Sequence, residues 1–165
     1  MLLKDLYPQE VTASVYELDW EALSGKYDGV IFDIDNTLVP HGAPADERAV
    51  RLFRRIHGLG MKTLLMSNNR EARVKPLAGQ LQTEYVYKAG KPKKAGYERG
   101  VRKLGIAPQH ILFIGDQIFT DIWGANRMGM TTVLTEPVDP ATDEIQIVVK
   151  RWFEKPFRRK QGSRP

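Results

Sequence analysis

Two carboxylates one residue apart, Asp33 and Asp35, stand directly after the small or apolar residues 29–32, a pattern that predicts a buried strand of a parallel sheet. Side chains alternate along a strand with a period of two, so both carboxylates lie on one face. Two like charges repel each other unless a cation or a shared proton lies between them. The pattern favours a hard-metal site, with one carboxylate left for chemistry. The alternative is a strand followed by an ordinary capped turn, because Asp, Asn and Thr favour turns.

Three later apolar runs also end in polar side chains, which are Ser67 with Asn68, then Lys91, then Asp116 with Asp121. In an open parallel sheet the carboxyl ends of the strands meet at one edge. There, one carboxylate can attack phosphorus, and a second can protonate the leaving oxygen and then deprotonate water. Hydroxyl groups, amides and an ammonium can hold the phosphate oxygens. The set of residue types therefore predicts phosphoryl transfer with Mg²⁺ as the cofactor.

The elements that must position these residues alternate five times between strand and helix. Strands are expected at 29–33, 61–66, 84–87, 111–114 and 131–134. This alternation predicts an α/β fold, a doubly wound, Rossmann-like sheet of five parallel strands with helices on both faces. Residues 1–149 are expected to form one domain, with residues 1–26 as a helical extension. Pro76 predicts a kink or break in the helix that follows the second strand.

Composition excludes several classes of site. The chain has 165 residues and no Cys, which rules out disulfides, thiolate catalysis and Cys-ligated zinc. No apolar run reaches membrane-spanning length, and the N-terminus lacks a signal-peptide pattern. These features predict a cytoplasmic protein.

Positive charge is concentrated at the C-terminal end. Residues 150–165 hold seven Lys or Arg and one Glu, whereas residues 1–149 hold 18 basic and 19 acidic residues. Trp152, Phe153 and Phe157 interleave with these cations. The composition predicts a flexible basic tail with three alternatives, namely binding to an anionic membrane surface, binding to RNA, or no partner. The first alternative places the protein at the inner face of the membrane.

Four motifs in order resemble those of the haloacid dehalogenase-like (HAD) phosphatases. They are Asp33-Ile34-Asp35-Asn36-Thr37, Ser67, Lys91 within Gly90-Lys91-Pro92, and the acidic pair Asp116 and Asp121. The resemblance implies that Asp33 is the nucleophile and Asp35 the general acid and base. It further implies that Ser67 and Lys91 bind phosphate, with Thr37 and Asn68 also at the substrate.

The resemblance also implies a metal site. Asp33, the main-chain carbonyl of Asp35, and Asp116 are expected to ligate Mg²⁺, while Asp121 supports the metal or Lys91. Two alternatives come from the residues themselves, because Ser67 and Asp121 also suit helix caps. A third is that Lys88, Lys93 or Lys94 replaces Lys91, since motif spacing alone chooses among them.

The short spacing between motifs limits what can be inserted. One helix and one strand account for the residues from Asp35 to Ser67, and the interval from Ser67 to Lys91 is equally short. No room remains for the cap domain that many HAD phosphatases carry. The chain resembles the capless subclass IIIA and its YqeG-like family over nearly its whole length. An open edge suits a phosphorylated substrate whose bulk stays outside the site.

The predicted function is a Mg²⁺-dependent phosphomonoesterase that works through an aspartyl phosphate. The resemblance includes eukaryotic phosphatidylglycerophosphate phosphatases, so this lipid is one predicted substrate. This chain departs from those relatives at Ile34, where they carry Lys. A soluble phosphosugar, nucleotide or phosphoprotein is an alternative substrate. Alternatives of another class are a non-catalytic RNA- or protein-binding module and a phosphoacceptor domain. The pattern carries no prediction of oligomeric state.

Overall fold

A computed structural model describes residues 3–160 of the chain. Six strands form one sheet, and they are β1 (Glu10–Thr12), β2 (Gly29–Phe32), β3 (Lys62–Met66), β4 (Glu84–Val86), β5 (Ile111–Gly115) and β6 (Thr131–Thr135). Their order is β1-β6-β5-β2-β3-β4, and every neighbouring pair is parallel. The predicted doubly wound α/β fold is confirmed.

The sheet has six strands rather than the predicted five. The additional strand, β1, lies in the segment 1–26 that was expected to be a helical extension, and it pairs with residues Val133 to Thr135 of β6. Three residues at the sheet edge are too few to show a period-two pattern, and this strand exists because β6 supplies its partner. Residues 1–2 lie outside the described part of the chain.

In the described part of the chain six α-helices accompany the strands, and they are α1 (Trp20–Ser24), α2 (Glu47–Gly58), α3 (Glu71–Leu81), α4 (Lys94–Leu104), α5 (Trp123–Arg127) and α6 (Ile145–Glu154). Helix α2 begins after Asp46, whose carboxylate accepts the Ala49 N–H at 2.8 Å. Helix α3 continues through Pro76, where a kink or break was predicted. Within residues 3–160 the connections between strands contain no inserted cap domain.

Two apolar layers cover the two faces of the sheet. Alternate residues of β2 point to opposite layers, so Phe32 packs with Trp20 and Phe53, whereas Ile31 packs with Tyr97 and its neighbours. This alternation follows from the period of two along a strand. The buried sheet holds the ends of its strands rigidly, which is what a site at the edge of the sheet requires.

The predicted boundary at residue 149 falls inside α6. This helix continues into a short 3₁₀ turn, Lys155–Phe157, and Glu154 at its end is fully buried. The Glu154 carboxylate accepts the Phe119 N–H at 2.9 Å, which attaches the helix to the domain. The predicted flexible tail thus begins as an ordered helix, because one face of this basic segment carries residues that bond to the core. Residues 161–165 of that tail lie outside the described residues.

No helix among residues 3–160 has the length and apolar character needed to cross a membrane.

Candidate active site

The candidate site lies at the point where the strand order reverses. Strands β3 and β4 continue from β2 in one direction, and β5, β6 and β1 lie on its other side. Ligands of open α/β sheets bind at such a switch point, outside the carboxyl ends of the strands. Asp33 follows β2 directly, and its N–H donates to the Ile114 carbonyl at 2.9 Å. This bond extends the ladder between the central strands and holds the Asp33 backbone in place.

Three buried carboxylates converge there. Asp33, Asp116 and Asp121 each offer an oxygen, and the three oxygens lie within 4.8 Å of one another. Thr37, predicted at the substrate, donates its hydroxyl to Asp116 Oδ1 at 3.1 Å, and that hydroxyl lies 3.4 Å from Asp33 Oδ2. Buried carboxylate oxygens at this separation match the ligand preference of hard divalent cations. The triad therefore fits a divalent metal.

Lys91 lies between two of these acids. Its Nζ is 2.6 Å from both Asp33 Oδ1 and Asp121 Oδ1, and 3% of its side chain is exposed. The structure leaves the three alternative lysines exposed, at positions 88, 93 and 94. Asn68, predicted at the substrate, holds the Lys91 main chain through both ends of its amide, at 2.7 and 3.2 Å. Asn68 thus positions the ammonium.

The three carboxylates of the triad carry more negative charge than the Lys91 ammonium alone can balance. Burial and Asp121 raise the pKa of Asp33 well above its usual value, against the opposing effect of Lys91. Burial, with the charge of Asp121, also raises the pKa of Asp116. Burial alone would lower the pKa of Lys91, but Asp121 and Asp33 together raise it, so the ammonium stays charged at neutral pH.

Asp35 lies in a separate environment within the same pocket. Its Oδ1 accepts the Gly42 N–H and an Arg73 N–H, both at 2.8 Å, and its Oδ2 accepts from Asn69 at 3.3 Å. Burial raises the pKa of Asp35, but the Gly42 and Arg73 bonds outweigh that effect and hold the pKa below its usual value. Asp35 is therefore ionised at neutral pH.

Ser67 and Asp121 are not helix N-caps. Ser67 follows β3, is 3% exposed, and accepts the Asn69 N–H at 3.0 Å, whereas the N-cap of α3 is Arg70. Asp121 lies inside a π-helical turn, Ile118–Ile122, that precedes α5. A Cβ at Gly115 would overlap the Asp121 side chain, so only glycine at this position leaves that carboxylate beside Lys91.

The pocket around these groups is small, about 180 Å³. Its lining includes five of the predicted site residues, Asp33, Asp35, Ser67, Asn68 and Lys91. A larger cavity of about 650 Å³ is lined by the first residues of β3 and β4, including Lys62 and Glu84. It therefore lies at the amino-terminal edge of the sheet, away from this chemistry.

The sequence did not predict the residues that hold Asp116 in place, which are Arg151, Asp143 and Asn36. Arg151 of α6 donates to the Asp116 carbonyl at 2.9 Å and also pairs with the Asp116 carboxylate. The same guanidinium bonds Asp143 at 2.5 Å, and Asn36 donates to Asp143 at 2.6 Å. The signal that could have identified Arg151 is its position opposite the apolar side of a helix. It was missed because the composition of the surrounding segment is typical of a flexible tail.

Counting these groups gives the charge of the cluster. Four carboxylates, Asp33, Asp116, Asp121 and Asp143, face two cations, Lys91 and Arg151. With every group ionised the net charge is −2, which one divalent cation would neutralise.

A family model described as haloacid dehalogenase-like hydrolase matches residues 42–129. "Probable phosphatase YqeG" from Bacillus subtilis (strain 168) is 36% identical over 140 residues, which cover 84% of this chain and 81% of the relative. This chain belongs to the haloacid dehalogenase-like hydrolases. Phosphatidylglycerophosphate phosphatase 1, chloroplastic/mitochondrial, from Arabidopsis thaliana is 30% identical over 162 residues. That match covers 84% of this chain but 45% of the plant protein.

Solved structures of HAD proteins share the fold. A HAD family hydrolase from Streptomyces avermitilis superposes with a TM-score of 0.57 at 14% identity, over 78% of this chain and 80% of that one. A 3-deoxy-D-manno-octulosonate 8-phosphate phosphatase from Yersinia pestis gives a TM-score of 0.56 at 13% identity, over 71% of this chain and 67% of that one. The predicted family and the predicted class, a hydrolase of phosphate esters, are confirmed.

Proposed function

We propose that this HAD hydrolase is a Mg²⁺-dependent phosphomonoesterase that forms an aspartyl phosphate on Asp33. The observation that carries the proposal is the position of Asp33. Its carboxylate lines the pocket, contacts the Lys91 ammonium at 2.6 Å, and belongs to the buried acidic triad. A carboxylate in such surroundings is suited to nucleophilic attack on phosphorus.

In the first half-reaction an Asp33 oxygen attacks the phosphorus, and the bond from phosphorus to the leaving oxygen breaks. Asp35 donates a proton to that oxygen, so the product leaves as an alcohol. The Lys91 ammonium and the Ser67 hydroxyl hold the phosphoryl oxygens as negative charge builds on them. Because Asp35 is ionised in the free protein, it takes up its proton before or with the substrate, whose charge raises its pKa.

In the second half-reaction Asp35 removes a proton from a water molecule, whose oxygen attacks the phosphorus. The bond from phosphorus to Asp33 breaks, which releases inorganic phosphate and regenerates the carboxylate. Arg73 and the Gly42 N–H hold Asp35 in one orientation through both steps.

Mg²⁺ would be held by the carboxylates of Asp33 and Asp116 with the Asp35 carbonyl, and Asp121 would support them. When bound, it would neutralise the phosphoryl oxygens and the surplus charge of the triad. The charge of −2 and the hard oxygen donors support this choice of ion.

We infer that the substrate keeps its bulk outside the pocket. A volume of about 180 Å³ is below the range of pockets that enclose a whole small molecule, so it suits a phosphate group and the atoms next to it. A phosphorylated lipid head group meets this requirement, and the name of the Arabidopsis relative supports phosphatidylglycerophosphate. A soluble phosphate ester with an extended body meets the same requirement and remains the alternative substrate.

Turnover of p-nitrophenyl phosphate tests the reaction. We expect hydrolysis with Mg²⁺, none with EDTA, and none for Asp33→Asn, because an amide neither attacks phosphorus nor binds the ion as an anion. Asp19→Asn, at an exposed helix cap away from the pocket, is the matched control and should keep wild-type turnover. Wild-type turnover by Asp33→Asn would overturn the proposal. A panel of phosphorylated lipids and soluble esters then ranks the substrates.

A further inference from the structure

Helix α6 carries an apolar stripe that is exposed among the described residues 3–160. The five residues of this stripe, spaced as one helix face, are Ile145, Val148, Val149, Trp152 and Phe153. Their exposed fractions run from 52% to 82%, and they are five of the seven exposed large apolar residues in the described part of the chain. Isolated exposed apolar residues are ordinary, but a contiguous set marks an interaction surface.

The opposite face of α6 anchors the helix in the active site. Arg151 bonds Asp116 and Asp143, and Glu154 accepts the Phe119 N–H at 2.9 Å. Ile147 and Lys150 of the same helix line the pocket. Because Lys150 also borders the apolar stripe on the helix surface, whatever covers the stripe lies next to one edge of the pocket.

Charge indicates what covers the stripe. On a helix of 3.6 residues per turn, Lys150 and Lys155 flank the stripe on its two sides, and both are exposed. A second copy of this chain docked by the same face would bring these cations together, since a two-fold contact uses the same patch twice. An anionic bilayer instead accepts apolar side chains between headgroups and attracts the flanking cations. Trp152 and Phe153 are in edge-to-face contact, with ring centroids 5.0 Å apart, and such aromatic side chains favour that interface.

We propose that the apolar stripe of α6 lies in the surface of an anionic lipid bilayer and holds the pocket mouth at the level of the lipid headgroups. This inference deepens the proposed function, on which it rests, by selecting lipid-borne phosphate esters as the substrate class. A helix lying flat presents the pocket to phosphates that already stand at the surface. The substrate then needs no enclosing cap, because only its phosphate enters the pocket.

Vesicle flotation of the full chain tests the proposal. The probes are vesicles of phosphatidylcholine alone and of phosphatidylcholine with phosphatidylglycerol. The test variant is Trp152→Gln with Phe153→Gln, two exposed positions outside the pocket. Leu3→Gln, at an apolar residue that is 65% exposed, is the matched control.

We expect the wild type and Leu3→Gln to float with the anionic vesicles and bind the neutral ones less. The double variant should bind at least roughly tenfold more weakly, the loss expected when an apolar side chain is no longer buried. All three proteins should hydrolyse p-nitrophenyl phosphate at the same rate.

Three results would overturn the inference. They are equal binding by the double variant, no binding by the wild type, and a dimer in light scattering that the double variant abolishes without any vesicle binding. Failure of the proposed function has a different signature, since p-nitrophenyl phosphate would then go unhydrolysed by every protein while the flotation result stood.

Discussion

Replacing Arg151 with Met tests how much helix α6 contributes to stabilising the buried carboxylates at the edge of the sheet. The Met side chain keeps most of the aliphatic length but removes the guanidinium that bonds Asp116 and Asp143. Asp116 is fully buried, so Arg151→Met leaves a carboxylate inside the domain without its cation. The net charge of the acidic cluster changes from −2 to −3.

The expected loss of stability follows from the burial of Asp116. Removing one partner of a buried ion pair costs about 3–5 kcal/mol. A domain of this size loses about 2–4 °C of melting temperature per kcal/mol, so the expected fall is about 6–20 °C. Excess Mg²⁺ should recover part of the loss, because an ion that binds only the folded state stabilises it by about 2.7 kcal/mol at a hundredfold excess over its Kd. The recovery should exceed the effect of Mg²⁺ on the wild type.

Thermal unfolding followed by circular dichroism, in EDTA and in excess Mg²⁺, measures both effects. Arg151→Lys should fall between the wild type and Arg151→Met, because an ammonium keeps the charge but cannot bridge two carboxylates as the planar guanidinium does. Arg102→Met is the matched control, since Arg102 is exposed in the last turn of α4, away from the site.

Two results would refute this reasoning. One is a melting temperature for Arg151→Met in EDTA within about 2 °C of the wild type, which corresponds to less than about 1 kcal/mol. The other is an equal gain from Mg²⁺ in both proteins, since the surplus negative charge would then not control metal binding.

Three further predictions address single positions. Asp35→Asn should slow hydrolysis of an alkyl phosphate by roughly two to four orders of magnitude and of p-nitrophenyl phosphate by less, because a good leaving group needs no proton; equal losses would contradict its role as the acid. Gly115→Ala should abolish most turnover, whereas Gly79→Ala, at an exposed helical position with open space, should keep it and gain about 0.5–1 kcal/mol in chemical denaturation. Burial raises the pKa of Glu154 from 4.5, so its protonated form stabilises the fold below that pH and the stability is lost as pH rises through the raised pKa. Glu154→Gln cannot titrate, so its denaturant midpoint should exceed that of the wild type by an amount that grows as pH rises from 4.5 through the raised pKa and is constant above it; a difference that stays the same across that window would contradict the prediction.

The central part of the site follows from the sequence because its residues come directly after apolar strands. Asp33 and Asp116 follow neighbouring strands, and parallel strands bring their carboxyl ends to one edge. The position of Lys91 within its turn depends on Asn68, whose two bonds to the Lys91 main chain link segments 23 residues apart. Motif spacing alone could not select this lysine from the three exposed ones.

The rest of the site depends on contacts that no local pattern carries. Asn36 and Asp143 are 107 residues apart and meet only after folding. Helix α6, which carries Arg151, was not predicted, because its exposed apolar residues and cations together are typical of a flexible tail. The buried Glu154 of this helix shows that the segment is part of the fold. A buried carboxylate needs a hydrogen-bond partner, and here the Phe119 N–H supplies one.

Trapping the covalent intermediate tests the central claim most directly. Protein quenched in acid during turnover of p-nitrophenyl phosphate is treated with borohydride, which reduces an acyl phosphate to the alcohol, and the digested peptides are identified by mass spectrometry. We predict homoserine in place of Asp33, absent when substrate is omitted. Homoserine at another aspartate, or an unmodified Asp33 peptide from protein caught while it turns over substrate, would contradict the account.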